Sequence, residues 1–137
     1  MKFNHIGLVV RDIEAAQGQL ADSLQLSGWT EIITDEGIGV QASFGRDASG
    51  VCYELIAPYG EDSPIAGHLA QGRSILNHVA YTVGDITEAA AAMRRARAFP
   101  LGPAKPAVAF GGRPVQFFMS PLKFIIELVE GQEPPRT

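Results

Sequence analysis

Two histidines and two glutamates stand at matched positions in this chain. His5 and His78 are 73 residues apart, and Glu54 and Glu127 are separated by the same 73. Their surroundings match in register. Residues 3–13, FNHIGLVVRDI, return as 76–86, LNHVAYTVGDI, and residues 51–56, VCYELI, return as 124–129, FIIELV. Imidazole is a neutral nitrogen ligand and a proton carrier near neutral pH, and carboxylate is an anionic oxygen ligand that also moves protons. Two of each, brought to one place, suit a divalent first-row metal ion with coordination positions left for water or substrate. Taken singly, each of the four reads as a surface polar residue or a member of an ordinary hydrogen-bond pair. Duplication preserves the spacing, but it gives no reason for polar side chains to persist at the same strand positions in both copies.

The elements that must carry these residues repeat in the same order. Residues 3–10 alternate and are β-rich, so they read as a strand. Asp12 then caps a helix whose Ile13, Ala16, Leu20 and Leu24 follow a 3.6-residue period, and Asp85 does the same for Ile86, Ala89, Ala90 and Met93. Three strands follow the first helix, over Trp29 to Thr34, Val40 to Phe44 and Val51 to Ala57. After the second, short strands near Phe99 and Leu101 precede Val115 to Met119 and Phe124 to Val129, with Gly-Pro, Gly-Gly and Ser-Pro breaks between them. Each half therefore reads βαβββ. The expected fold is α+β: one structural domain of duplicated βαβββ modules, with a cupped mixed and antiparallel sheet and helices on its outer face. The first module covers residues 1–60, a linking helix 61–75, the second module 76–130, and a disordered tail 131–137. Ser63 and Pro64 form an N-cap and first-turn pair for the linking helix. The tail carries two prolines and no apolar residue.

Strand parity puts His5 on the face of Phe3 and Gly7, while Ile6, Leu8 and Val10 face the helices. Glu54 shares its face with Cys52 and Ile56, and Glu127 with Ile125 and Val129. Two carboxylates thus sit inside very apolar strands, where each requires a cation, a set of hydrogen bonds or a metal. A pseudo-two-fold axis through one concave sheet brings His5, Glu54, His78 and Glu127 together. Gln41 and Gln116 occupy comparable strand positions and are candidates for contacting substrate.

Composition narrows the function. With 11 basic and 15 acidic residues the net charge is −4, and no basic run is long enough for a nucleic-acid arm. No apolar run approaches the roughly 20 residues of a membrane span, and Met1 leads straight into a strand pattern without the apolar region of a signal peptide. A cytoplasmic protein is expected. The single Cys52 forbids an intrachain disulfide and a thiol-based zinc cluster, and it reads as a small buried hydrophobe. Arg94, Arg95 and Arg97 read as a solvated helix face, His68 as a surface residue, and Gly37-Ile38-Gly39 lacks the lysine and spacing of a phosphate loop.

The segments His5-Ile6-Gly7-Leu8-Val9-Val10, Glu54-Leu55, His78-Val79-Ala80-Tyr81 and Glu127-Leu128-Val129 resemble the vicinal oxygen chelate superfamily of glyoxalase I, bleomycin-resistance proteins and extradiol dioxygenases. The resemblance covers residues 3–130. It is nearest to the methylmalonyl-CoA epimerase-like group, through the stretch from Glu54 to Ala66 with its Pro turn and Asp-Ser-Pro helix start. The last hairpin, 109–124, is shorter than that group's. The resemblance implies a single divalent ion (Co, Ni, Mn, Zn or Fe) held by His5, Glu54, His78 and Glu127 at the bottom of a cup. It implies a metal-dependent isomerase or epimerase that forms an enolate of a small acyl, possibly acyl-CoA, substrate, with Glu127 as base and Glu54 as its symmetry mate. It also implies a homodimer. The alternatives are a lyase of glyoxalase type, whose glutathione-binding arginines are not recognisable here, and a metal-free drug-binding cup of the bleomycin-resistance type, whose members usually lack the four ligands kept here.

Overall fold

A computed structural model describes residues 1–69 and 75–137, without the side chains of His68 and Ile75. The reading of His68 as a surface residue therefore lies outside the described residues. Strand β1 (Lys2–Val9) leads into helix α1 (Ile13–Leu24), then β2 (Ile33–Asp35), β3 (Val40–Arg46) and β4 (Cys52–Pro58). The second half runs β5 (Ile75–Val83), α2 (Ile86–Arg95), β6 (Phe99–Pro100), β7 (Lys105–Pro106), β8 (Pro114–Met119) and β9 (Ile125–Glu130). All the strands join one mixed sheet in the order β2-β3-β4-β1-β5-β9-β8-β6, with β7 also on β8. The two halves meet at the antiparallel β1/β5 pair, and each half opens with a strand parallel to its own last strand, β1 on β4 and β5 on β9. Among the described residues no helix is long and apolar enough to cross a membrane.

Both helices start as the sequence predicts. The Asp12 carboxylate accepts from the Ala15 amide, and the Asp85 carboxylate from the Glu88 amide, which satisfies amides that the first helical turn leaves without partners. The Ile86 amide is bound by the Glu130 carboxylate, tying α2 to the last strand. Strand alternation then divides the apolar side chains between two faces. Leu55, Ala57, Leu8 and Val10 pack under α1 with Ile13, Ala16 and Leu20, while Phe118 and Leu128 pack under α2 with Ile86 and Ala90. The opposite, concave face carries a third cluster that includes Val40, Ala42, Phe44, Ile56, Phe110, Val115 and Val129.

Several local expectations change. Leu24 is 51 % exposed, because the helix ends at Gln25 in the left-handed conformation before its last apolar position turns inward. Of the strand expected over Trp29 to Thr34, only Ile33 and Thr34 are regular, within Ile33–Asp35. Trp29 instead lies over Gly45, where an added Cβ would fall 2.6 Å from the indole, and packs in the cluster under α1. Around it the chain follows the edge of β3 by irregular bonds: the Thr30 amide donates to the Phe44 carbonyl, and the Phe44 amide to the Thr30 hydroxyl. The connecting segment contributes a 3-10 turn over Ala66–Leu69, and the Ser63 hydroxyl donates to the Gly39 carbonyl, so it clamps the β2–β3 turn. In the C-terminal segment Gln132 and Pro134 are held, their carbonyls accepting from Asn4, Thr82 and Arg46.

Asp35 connects the two modules. It is buried, and its carboxylate accepts from the Ile38 amide within its own turn at 3.0 Å and from the Val108 amide of the other module at 2.9 Å. Asp35→Ala removes both acceptors and is expected to lower unfolding stability by about 1–3 kcal/mol in urea denaturation. Asp35→Asn keeps one acceptor oxygen and is expected to fall between wild type and Ala.

Candidate metal centre and active site

The pairing register explains why four residues so far apart in sequence converge. On β1, Gly7 lies beside Glu54 of β4 and opposite His78 of β5; on β5, Ala80 lies beside Glu127 of β9 and opposite His5 of β1. Gly7 and Ala80 are themselves 73 residues apart. Each small residue thus clears space for the histidine of the other module, and each glutamate flanks that space from a neighbouring strand. At Gly7 the clearance is absolute, since an added Cβ would fall 2.0 Å from Cε1 of His78.

The side chains meet through one atom each. His5 Nε2 lies 3.3 Å from Glu54 Oε1 and 3.2 Å from Glu127 Oε1, while His78 Nε2 lies 3.4 and 3.0 Å from the same two oxygens. The two Nε2 atoms are 3.0 Å apart, all four donor atoms lie within 4.8 Å of one another, and all four residues are buried. On the far side of each ring, Nδ1 of His5 meets Asn4 Oδ1 and Nδ1 of His78 meets Asn77 Oδ1, both at 2.7 Å. An amide oxygen only accepts, so each Nδ1 carries the hydrogen and each neutral ring presents the Nε2 lone pair to the centre. Two imidazole nitrogens and two carboxylate oxygens aimed at one point form a donor set that fits a first-row divalent ion, whose bonds to such ligands are roughly 2.0–2.2 Å.

The electrostatics show what the cluster does without a cation. Burial by itself would lower both histidines and raise both glutamates. Against that burial, the Glu54 charge and hydrogen bonds to both carboxylates push His5 up to about 9, and bonding to Glu127 and Glu54 raises His78. The same contacts hold Glu54 down at about 2 and lower Glu127. These shifts favour protonated imidazole beside ionised carboxylate when no metal is bound, and a metal ion would compete with that proton.

A cavity of about 460 Å³ opens onto this cluster, with Glu54, His78 and Glu127 in its wall. The remaining wall is largely apolar, including Ile33, Val40, Ile56, Val115 and Phe117, with Lys105 as the cation among the described lining residues. His5 is completely buried behind it, with Phe110 stacked on its ring and Phe44 against its edge. Gln41 and Gln116 are not brought to the cavity. Gln41 pairs with Ala57 and Gln116 with Leu128, both packed under the helices, so alternation turns the two glutamines to the outer face. Their amides donate to Thr34 Oγ1 and to the Gly102 carbonyl. Cys52 is buried as expected, and burial pushes its thiol up to about 11, which keeps it protonated.

Residues 4–117 match the Glyoxalase/Bleomycin resistance protein/Dioxygenase superfamily. The chain belongs to this superfamily. It is 34% identical over 131 residues to the ethylmalonyl-CoA/methylmalonyl-CoA epimerase of Cereibacter sphaeroides, covering 94% of this chain and 95% of that protein. Among solved structures it is similar to hypothetical protein BH1468 from Bacillus halodurans, with a TM-score of 0.81, 24% identity, and 99% and 98% of the two chains covered. It is likewise similar to a Streptomyces coelicolor methylmalonyl-CoA epimerase variant in complex with 2-nitronate-propionyl-CoA, with a TM-score of 0.74, 21% identity, and 98% and 99% covered.

Within this superfamily fold, sequence reasoning had the four converging residues but missed those that serve them. The repeated Asn-His pair was the available signal for Asn4 and Asn77. Nothing local marks Phe110 or Lys105, which reach the site from the short strand β7 and the 3-10 turn that follows it.

Two outcomes follow from the geometry. Gly7→Ala is expected to keep the fold but to weaken Co²⁺ affinity by at least about tenfold, measured by titration, because the new methyl displaces the His78 ring. The pH dependence of stability is expected to change with metal. In metal-free protein His5 titrates above its ordinary 6.5, so its contribution is complete below about 6.5 and lost as pH rises through about 9. Glu54 titrates below its ordinary 4.5, so its contribution is lost as pH falls toward about 2. Thermal denaturation of metal-free protein should therefore show a melting temperature that falls from pH 6.5 to 9. The increment added by a divalent ion should grow over that range, as fewer protons must be displaced.

Proposed function

We propose that this protein is a metal-dependent epimerase of 2-substituted acyl-CoA thioesters of the alkylmalonyl type, working through an enolate. The observation that carries the proposal is the pair of glutamates, one from each module, that enter the same cavity from opposite sides of a pseudo-two-fold axis. Inverting a carbon centre requires a proton to leave one face and another to arrive on the opposite face, and two matched carboxylates supply that arrangement. The chain's likeness to an acyl-CoA epimerase supports the choice of substrate class.

The residues divide the work as follows. When bound by His5, Glu54, His78 and Glu127, a divalent ion supplies positive charge that stabilises an enolate as it develops. Glu54 and Glu127 each turn Oε1 toward the histidines, which leaves Oε2 of each carboxylate as the atom for proton transfer. For one epimer Glu127 removes the C2 proton, and Glu54, which must first take up a proton from water, returns that proton on the other face; Glu127 then releases its own proton to water, and for the other epimer the roles reverse. The apolar wall receives the alkyl branch and excludes water, which strengthens every charge interaction inside. Lys105 supplies a positive charge for an anionic part of the substrate. A homodimer belongs to the same proposal, supported by the exposed Leu76, Leu122 and Phe124 near the starts of β5 and β9. A cytoplasmic location is carried with it.

The test is proton exchange at C2. Methylmalonyl-CoA or ethylmalonyl-CoA incubated in D₂O with Co²⁺-loaded protein is expected to take up deuterium at C2 and to epimerise there. Glu127→Gln and Glu54→Gln are each expected to slow epimerisation by about 10²–10⁴-fold. Each variant should block wash-in from opposite epimers, with metal content measured beside activity. Metal-loaded wild type that exchanges no C2 proton would overturn the proposal.

A further inference from the structure

Asn4 is almost fully buried, and its side-chain amide is committed on both ends. Its Oδ1 accepts from His5 Nδ1 at 2.7 Å, while its Nδ2 donates to Thr82 Oγ1 at 2.8 Å and to the Gln132 carbonyl at 2.9 Å. Thr82 Oγ1 in turn donates its single hydrogen to the same Gln132 carbonyl at 3.0 Å. These roles are not interchangeable. The carbonyl can only accept, and with the hydroxyl hydrogen directed to it the hydroxyl oxygen is also an acceptor toward Asn4. The amide nitrogen must therefore face Thr82 and Gln132, and the amide oxygen must face His5.

We infer that the C-terminal segment after β9 is a working part of the metal site: the Gln132 carbonyl, through Thr82 and Asn4, sets which ring nitrogen His5 offers to a cation. With the amide turned over, its NH₂ would face Nδ1, and the neutral ring would carry its hydrogen on Nε2. A hydrogen would then point at the donor cluster where a lone pair is needed. Asn4 and Thr82 are positioning residues, acting on a ligand they orient. Outer hydrogen bonds of this kind commonly change metal affinity by about 10–100-fold. This inference rests on the metal reading of the site proposed above.

Co²⁺ titration of five proteins tests it: the full chain, a chain ending at Gly131, full-length Thr82→Val, full-length Asn4→Asp, and the truncation combined with Asn4→Asp. Truncation and Thr82→Val are each expected to weaken Co²⁺ binding by about tenfold or more while a cooperative unfolding transition is retained. An aspartate has two equivalent accepting oxygens and no orientation to be fixed, so against full-length Asn4→Asp the truncation should cost roughly twofold or less. Unchanged Co²⁺ affinity in both the truncation and Thr82→Val would overturn the inference. So would an equal loss on truncation in the Asp background, which would mean that the tail acts through general packing. No Co²⁺ uptake by the full chain would overturn both this inference and the metal reading. Co²⁺ binding with the expected pattern, but without C2 exchange, would overturn the epimerase proposal alone.

Discussion

Four donor atoms that would not remain together in an apolar protein without a counter-charge set the terms for the rest of this structure. Two buried carboxylates face two buried imidazoles at 3.0–3.4 Å. Removing such charges from water is costly, and their mutual attraction compensates only when geometry is tight and the remaining polar atoms are bonded. The protein meets that condition by symmetry of construction. Each module contributes one histidine and one glutamate on adjacent parallel strands, and the antiparallel seam between the modules brings the pairs face to face. The unusual requirement for a residue without a side chain at position 7, and the asparagine before each histidine, are consequences of that convergence.

The same constraint explains why so polar a centre sits in so apolar a cup. Water reaching the cluster would screen its charges and weaken the pull between them. Phe44 and Phe110 enclose His5, and Phe117 meets the edge of His78. The side chains packed beneath α1 and α2 form cores of their own on the other face of the sheet, so packing there does not depend on the polar centre. That separation is visible in each strand. At Glu54 and Leu55, or Glu127 and Leu128, consecutive residues serve the site and the core in turn.

The spacing of 73 residues made the four converging residues legible, because duplication transmits register as well as residue type. The strand-then-helix opening of each half was legible for a similar reason: Asp12 and Asp85 are local signals whose effect does not depend on distant partners. What failed to show in the sequence depended on long-range geometry. Gln41 and Gln116 looked like site residues because they lie on the right strands, but one step of alternation puts them on the outer face. Trp29 reads as part of a strand, and its place is decided by a cleft above Gly45. The segment from Gly131 onward has the composition of a free tail, yet backbone carbonyls anchor it, and carbonyls are identical in every residue.

Duplication also left the two halves unequal, and the inequality bears on the chemistry. Gly7 has no side chain where its counterpart Ala80 has a methyl, Asn77 lies in the cavity wall, and Asn4 is sealed behind His5 by Thr82 and Gln132. Asp35 forms a clamp to Val108, its own counterpart 73 residues later, so one module closes over the other without reciprocity. A perfectly symmetric site would present identical surroundings on both sides of a substrate carbon and could not hold that carbon's different substituents in different places. Matched carboxylates with unmatched walls solve both parts of the problem. Under the proposed function, the glutamates serve as comparable proton carriers on the two faces, while the divergent loops give the substrate's unlike substituents one orientation in which both faces can be reached.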